Sequence, residues 1–314
     1  MTIHITSEVK RNKITIVSLL VLSFLYLVVS YLLIGSKPEQ FVLVALVNVL
    51  YVLSDTTRRF ITAFSIFIIY WIIFDYLKVI PNFKFNDVVI SGIYNLDKQL
   101  FGIYENGTLL TLNEYWSRHG SIFLDLLCGF FYINWVPVPL LFASYLFIQN
   151  KREFLYFSLT FLLVNIVGFI VYYIVPAAPP WYVQEYGFTF TPLTQGSAAG
   201  LLKCDAITGI PVFQSIYEKG SNVFAAMPSL HSAYPLIVLV FSIRNSLKWI
   251  SIVVAVIAIG IWFAAVYTSH HYLLDVLAGI ACASFSMVLF FYVILKIAFV
   301  REGIKHWEEA IHKH

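Results

Sequence analysis

The chain reads as an all-α integral membrane protein of about eight transmembrane helices. Three observations predict it: apolar runs long enough to cross a bilayer, too little charge for a soluble domain, and lysine and arginine gathered in the shortest connections. Of the 314 residues, 60% are hydrophobic, 18% aromatic and 12% charged, a balance that excludes an ordinary soluble fold. A net charge of +3 is too small to imply nucleic acid as a partner. Cys128, Cys204 and Cys282 stand far apart and no metal-ligand spacing occurs, so the sequence implies no disulfide framework, metal or other cofactor. The first apolar run is long enough to span and lacks a small-residue cleavage site, which argues against a removable leader.

Spans are expected near residues 14–35, 40–55, 60–80, 121–149, 153–175, 229–246, 249–267 and 272–298. An even number puts both termini on one side. Lys10, Arg11, Lys13, Arg58, Arg59, Lys151, Arg152, Arg244, Lys248, Arg301, Lys305 and Lys313 fall on that side, in tails or very short connections. Lys37, Lys78, Lys84, Lys98, Arg118, Lys203 and Lys219 fall on the other, mostly in two long loops. The termini are then cytoplasmic, and the end of the fifth span, the start of the sixth and the junction of the last two meet on the exoplasmic side. The expected division is 1–80 for a cytoplasmic lead and accessory helices, 81–120 for an exoplasmic loop with an interfacial helix, 121–300 for the core that carries the chemistry, and 301–314 for a cytoplasmic tail.

The chemistry is written between Phe224 and Asp275, where FAAMPSLHSAYP and YTSHHYLLDVLAG flank two spans and place ionisable groups at the ends of hydrophobic helices. His271 and Asp275 lie four residues apart, one helical turn, so the carboxylate can hold one ring nitrogen and leave the other with its lone pair outward. His270 points elsewhere and takes a lesser role. Pro228 and Ser229 lead into His231 at the start of a helix, whose free amides and cap hydroxyl favour an anion, most naturally phosphate. One oriented and one free imidazole beside such a site suit in-line phosphoryl transfer, one attacking phosphorus and the other protonating the departing oxygen. The bland alternative for each histidine is a solvated neighbour of lipid headgroups.

At these residues the chain resembles the type-2 phosphatidic acid phosphatase superfamily, whose second and third motifs usually read PSGH and SRxxxxxHxxxD; here they read PSLH and HHYLLD. The resemblance implies a six-helix catalytic core, a phosphohistidine on His271, and His231 as general acid and base. Within the superfamily the chain is most similar to the inositol phosphorylceramide synthases of fungi and their bacterial relatives, through PAAPPWY (176–182), DAITG (205–209), YEKGSNVFAAMPSLHS (217–232) and LDLLCGFFYINWVPVP (124–139). It implies transfer of phosphoinositol, or a close phosphopolyol, from a glycerophospholipid donor to a ceramide acceptor. Two departures from the phosphatases fit: Ala265 stands where they carry a phosphate-gripping arginine, and PAAPPWY replaces their KxxxxxxRP motif. A phosphodiester carries one charge and needs fewer cations than a phosphomonoester; helix-end amides, Ser229 and one or two basic residues suffice. The alternatives are a membrane lipid phosphatase of the same superfamily and a non-catalytic lipid-binding scaffold.

The remaining segments give weaker signals. Asp55, Asp75 and Lys78 read as interfacial charges. From Asn86 to Phe101, Val89, Ile90, Ile93, Leu96, Leu100 and Phe101 recur at helical spacing around Asp97 and Lys98, predicting a helix on the membrane surface, either a platform for entering headgroups or plain cover. Asn106, Gly107 and Thr108 form an N-glycosylation acceptor. Asp125, about a turn below the interface, needs a partner: Arg118 or His119 in an ion pair, or a polyol headgroup. Pro137 and Pro139 should kink that span. The loop 176–228 should fold back over the site; Trp181 and Tyr182 suit an aromatic belt, Trp181 being also a candidate substrate contact, with Asp205 on the hydroxyls of a polyol ring and Lys203 and Lys219 near phosphate, Lys219 being nearest in sequence to PSLH, against the alternative of solvated loop charges. After Val300 a short polar helix is expected.

Overall fold

The computed structural model describes residues 2–77, 79–192, 194–217 and 222–312, with side chains from Thr15 onward. Lys78, Lys219 and Lys313 lie outside them. Contacts divide the chain into two units, Met1–Val79 with Lys305–His314, and Ile80–Ile304.

In the first unit α1 (Thr2–Ile34), α2 (Pro38–Leu53) and α3 (Asp55–Leu77) run in succession. Pro38 at the first turn suits the start of α2, and Asn48 on α2 donates to Ser23 Oγ on α1 at 2.8 Å. The expected interfacial charges are paired, Asp75 with Lys37 at 3.7 Å and Asp55 with Arg58 at 3.4 Å.

The second unit opens with α4 (Ser91–Phe101), a hairpin of β1 (Ile103–Glu105) and β2 (Thr108–Leu110), and α5 (Leu112–Arg118). The surface helix begins later than its apolar spacing suggests, because Val89 is drawn into extended pairing with Ala177. The hairpin is an exception to an all-helical chain. Asn106 and Gly107 take positive φ values of 51° and 79°, the conformation of a two-residue hairpin turn, so the apparent glycosylation triplet is also a folding signal.

The span expected at 121–149 is broken into α6 (Ile122–Ile133) and α7 (Pro137–Gln149) at the residues before Pro137. Then follow α8 (Lys151–Ile174), the loop helices α9 (Pro180–Tyr186), α10 (Leu201–Thr208) and α11 (Val212–Tyr217), and α12 (Leu230–Arg244), α13 (Lys248–Tyr267), α14 (Leu273–Tyr292) and α15 (Ala298–Ile311). By length and composition, six segments can cross a membrane: Thr15–Ile34, Asp55–Leu77, Ile122–Gln149, Lys151–Ile174, Lys248–Tyr267 and Leu273–Lys296; Pro38–Leu53 and Leu230–Arg244 are shorter apolar helices. Large apolar side chains such as Phe123, Leu141, Ile148 and Trp249 are exposed, as lipid-facing residues are.

The core is organised around α12, which touches α7, α8, α13 and α14. Its approach to α14 is closest at Gly279, where an added Cβ would stand 2.0 Å from the Ser229 carbonyl oxygen. Gly279→Ala is therefore expected to force the two helices apart, at a cost of about 1–3 kcal/mol, and to lower the thermal unfolding midpoint of the detergent-solubilised protein.

Candidate active site

The ends of α12 and α14 build the site. Ser229 caps α12 by accepting the Ser232 amide at 3.3 Å, and its own N–H donates to the Asp275 carbonyl at 2.9 Å. That backbone bond seats the first turn of one helix on the first turn of the other, so His231 and His271 converge although they are far apart in sequence. Their Nδ1 and Nε2 atoms stand 3.0 Å apart.

His271 lies on the tight loop between α13 and α14. The N–H groups of His270 and His271 both donate to the Ala265 carbonyl, at 3.1 and 3.0 Å. Three neighbours clamp the same loop: Asn113 donates to the Val266 and His271 carbonyls at 2.7 and 3.0 Å, Trp181 N–H to the Ser269 carbonyl at 3.0 Å, and Gly200 N–H to the Thr268 carbonyl at 2.9 Å. Asp275 is fully buried; its Oδ2 accepts the Tyr272 N–H at 2.9 Å and stands 3.6 Å from His271 Nδ1. The expected His–Asp pair is thus present, slightly longer than a hydrogen bond. Burial pushes His271 down from its ordinary value to about 4, opposed in part by the Ala226 backbone, so its imidazole is neutral over the physiological range.

The surrounding wall is aromatic. Tyr132 Oη lies 3.2 Å from His231 Nδ1, Tyr217 donates to Tyr132 Oη at 3.4 Å, and the Trp135 ring meets the His231 ring edge-on at 4.7 Å. His270 also faces this wall, its ring 5.1 Å from that of Tyr132 and 4.9 Å from that of Tyr217. Its Nδ1 meets Thr268 Oγ1 at 3.1 Å, while its buried Nε2 has no hydrogen-bond partner. Burial, with His271 and His231 nearby, keeps it well below its ordinary value.

The loop 176–182 does fold back to the site. Val89 N–H donates to the Pro176 carbonyl at 2.8 Å, Ala178 N–H to the Val89 carbonyl at 3.1 Å, and Ala177 N–H to the Phe224 carbonyl at 2.8 Å. Trp181, however, is buried in an apolar cluster with Ile90, Tyr182 and Phe224, so its ring is core and only its N–H serves the histidine loop. Asp205 caps α11, accepting the N–H groups of Phe213 and Gln214 at 3.2 and 2.8 Å, which occupies the oxygens expected to meet polyol hydroxyls. Asp125 accepts the Tyr267 hydroxyl at 2.8 Å. The ion pair expected for it is not formed, because Arg118 and His119 both bind Glu105. Lys203 is exposed, its Nζ beside Gly120. The Ser229 hydroxyl is occupied by the α12 cap, where it also receives the Ser232 hydroxyl at 3.1 Å. Lys219 lies among the residues not described.

Sequence reading missed Tyr132, Tyr217, Asn113 and Asp97. Asp97 is fully buried and accepts the Leu274 N–H at 3.0 Å, holding the start of α14. Its signal was available: with Ile93 it shares one face of α4 at helical spacing, a carboxylate on an apolar stripe. Among the described residues no group of histidine, cysteine, aspartate or glutamate is arranged to hold a metal ion.

Comparison with known proteins follows this geometry. The chain is 42% identical to the phosphoinositol dihydroceramide synthase of Bacteroides thetaiotaomicron over 304 residues, 96% of this chain and 99% of the relative. It is 27% identical to the inositol phosphorylceramide synthase of Candida albicans over 160 residues, 47% of this chain and 33% of the relative. To the catalytic subunit of the Saccharomyces cerevisiae inositol phosphorylceramide synthase it is 33% identical over 116 residues, 37% and 29% of the two chains. No solved structure matches. The profile of the PAP2 superfamily matches residues 93–289, which contain both histidines, Asp275 and the loops that clamp them, and the chain belongs to that superfamily.

Proposed function

We propose that the protein is a membrane phosphotransferase that moves phosphoinositol from a glycerophospholipid of the phosphatidylinositol type to the primary hydroxyl of ceramide or dihydroceramide, releasing diacylglycerol. The convergence of His231 Nδ1 on His271 Nε2 at 3.0 Å carries the reaction class; the name of the bacterial relative, similar along nearly its whole length, supplies the substrates.

With the His271 proton assigned to Nδ1, toward Asp275 at 3.6 Å, Nε2 keeps its lone pair and the hydrogen shared between the rings sits on His231 Nδ1. His271 is then the nucleophile and His231 the acid. Donor phosphate enters by replacing the direct contact between the rings. His271 Nε2 forms a bond to phosphorus as the bond to the diacylglycerol oxygen breaks, and that oxygen takes the Nδ1 proton of His231, which enters the step as an imidazolium paired with the phosphodiester charge and leaves it as neutral imidazole. Diacylglycerol leaves, His231 Nδ1 takes the proton of the ceramide hydroxyl, and the ceramide oxygen attacks phosphorus and breaks the P–N bond, restoring both histidines. Asp275 holds His271 in orientation and offsets its positive charge while it is phosphorylated. Polar contacts to headgroup and phosphate fall to His270, Lys203 and Lys219; Ser229, Asp205, Trp181 and Asp125 shape the walls through the contacts given above.

All eight apolar helices are taken as spans, with the catalytic core in the stretch 121–300. The site lies on the exoplasmic face and the termini are cytoplasmic. In support, Lys151, Arg244 and Lys248 stand at the ends of α8, α12 and α13 remote from His231 and His271, and Arg244 pairs with Glu153 there at 2.9 Å.

With headgroup-labelled phosphatidylinositol in detergent micelles, purified protein is expected to move label to added ceramide, and His271→Ala to lose at least about a hundredfold in rate. Asp275→Asn should lose roughly tenfold or more. Release of free inositol phosphate at one rate with or without ceramide would instead identify a phosphatase.

Because burial lowers His271 to about 4, acidification should not silence the nucleophile where an ordinary imidazole protonates. Rapid-quench trapping of the acid-labile phosphoenzyme should give rates within about twofold between pH 7.5 and 5.5, a range in which a free imidazole becomes roughly 90% protonated. A fall with its midpoint near 6.5 would contradict this.

A further inference from the structure

We propose that the Tyr132 hydroxyl is a catalytic hydrogen-bond donor, giving its proton to a non-bridging oxygen of the phosphodiester seated between His231 and His271. The proposal rests on the reading above. Tyr132 is fully buried in the last turn of the apolar helix α6, where a hydroxyl needs partners. It has two polar neighbours, and neither accepts from it. Tyr217 donates to it from 3.4 Å. On the other side lies His231 Nδ1 at 3.2 Å, which carries the ring proton it gives to His271 Nε2 when His271 is poised as nucleophile, and so has no lone pair for the Tyr132 hydrogen. The proton of Tyr132 itself is therefore left over. Among the described residues, none is paired with it as acceptor.

This unassigned donor adjoins His231 Nδ1, one of the two nitrogens between which phosphorus must sit. A buried donor left without a partner beside the reacting atoms marks where a ligand supplies the acceptor. A phosphoryl group does so, since its non-bridging oxygens gain charge as nucleophile and leaving group exchange, and a fixed donor in a dry site stabilises that charge. Tyr217 strengthens the donor by polarising the Tyr132 oxygen from behind. A neutral O–H also suits a phosphodiester with its single charge; a phosphomonoester would bring a second charge that this hydroxyl does not offset.

The test compares wild type, Tyr132→Phe and Tyr217→Phe in phosphoinositol transfer and in affinity for orthovanadate, with thermal midpoints as the folding control. Tyr132→Phe is expected to lower kcat on the order of a hundredfold, to leave KM within about threefold, and to weaken vanadate roughly tenfold. Tyr217→Phe should lose roughly fivefold in both readouts, and it decides the matter should Tyr132→Phe fail to fold. Wild-type kcat or wild-type vanadate affinity in folded Tyr132→Phe overturns the proposal, as does an unaffected Tyr217→Phe if it alone folds. A wild-type protein that transfers no phosphoinositol would sink the substrate reading, while vanadate weakened by Tyr132→Phe would still uphold the donor.

Discussion

Everything at the site depends on one backbone contact. The Ser229 amide donates to the Asp275 carbonyl at 2.9 Å, and Gly279 lets the Ser229 carbonyl approach within a distance no side chain would permit. Two helices that begin at the same depth then present their first turns to each other, and each first turn carries or adjoins a histidine. A helix start is also where backbone donors are free and where the dipole favours negative charge. The junction gathers His271, His231 and the anion-favouring helix ends in one place without asking any long side chain to reach.

Rigidity and dryness reinforce each other around that contact. The loop 268–272 is held by α5, by α9 and by the turn before α10, and Thr268, Ser269, His270 and His271 are all buried. A clamped, buried loop keeps His271 uncharged, which the proposed nucleophile role requires, and in that role it also disfavours water as the second acceptor. For a transferase through a phosphorylated histidine, that second property separates transfer from hydrolysis. Ala265 contributes to both: it is fully buried in an apolar cluster that includes Tyr132, and its carbonyl receives two loop amides.

The sequence disclosed the parts of this arrangement that depend on periodicity and on charge in the wrong solvent. Long apolar runs gave the helices, and histidines beside an aspartate at helix ends pointed to the residues that converge, because each departs from what a bilayer tolerates. The return of PAAPPWY to the site was legible from its position at a break between spans. What stayed hidden was whatever required knowing a partner. Asp125 near Arg118 and His119 invited an ion pair, but both of those side chains bind Glu105 on the hairpin, and Tyr267 from α13 reaches the carboxylate instead. Asp205 looked like a ligand-binding carboxylate until the amides of Phe213 and Gln214 closed on it. Tyr132 was indistinguishable from the other aromatics of its span, since a tyrosine hydroxyl reports nothing about itself until the atoms beside it are known.

Asp97 shows why the surface helix belongs to the catalytic scaffold. Its carboxylate comes from α4 and holds the amide of Leu274, one residue before Asp275, so two carboxylates share the N-terminal turn of α14. Two like charges in a buried setting repel, and burial raises Asp97 to about 6, with the Leu274 N–H opposing the shift. The positive end of the helix and its free amides are what make the pair tolerable. Each carboxylate then fixes a different amide, Asp97 that of Leu274 and Asp275 that of Tyr272, and the backbone that positions His271 is gripped from both sides of the helix start. A helix that periodicity presents as cover for the membrane surface is in this way joined to the His271 loop by a single buried side chain, and α4 cannot shift without releasing the turn that aims His271.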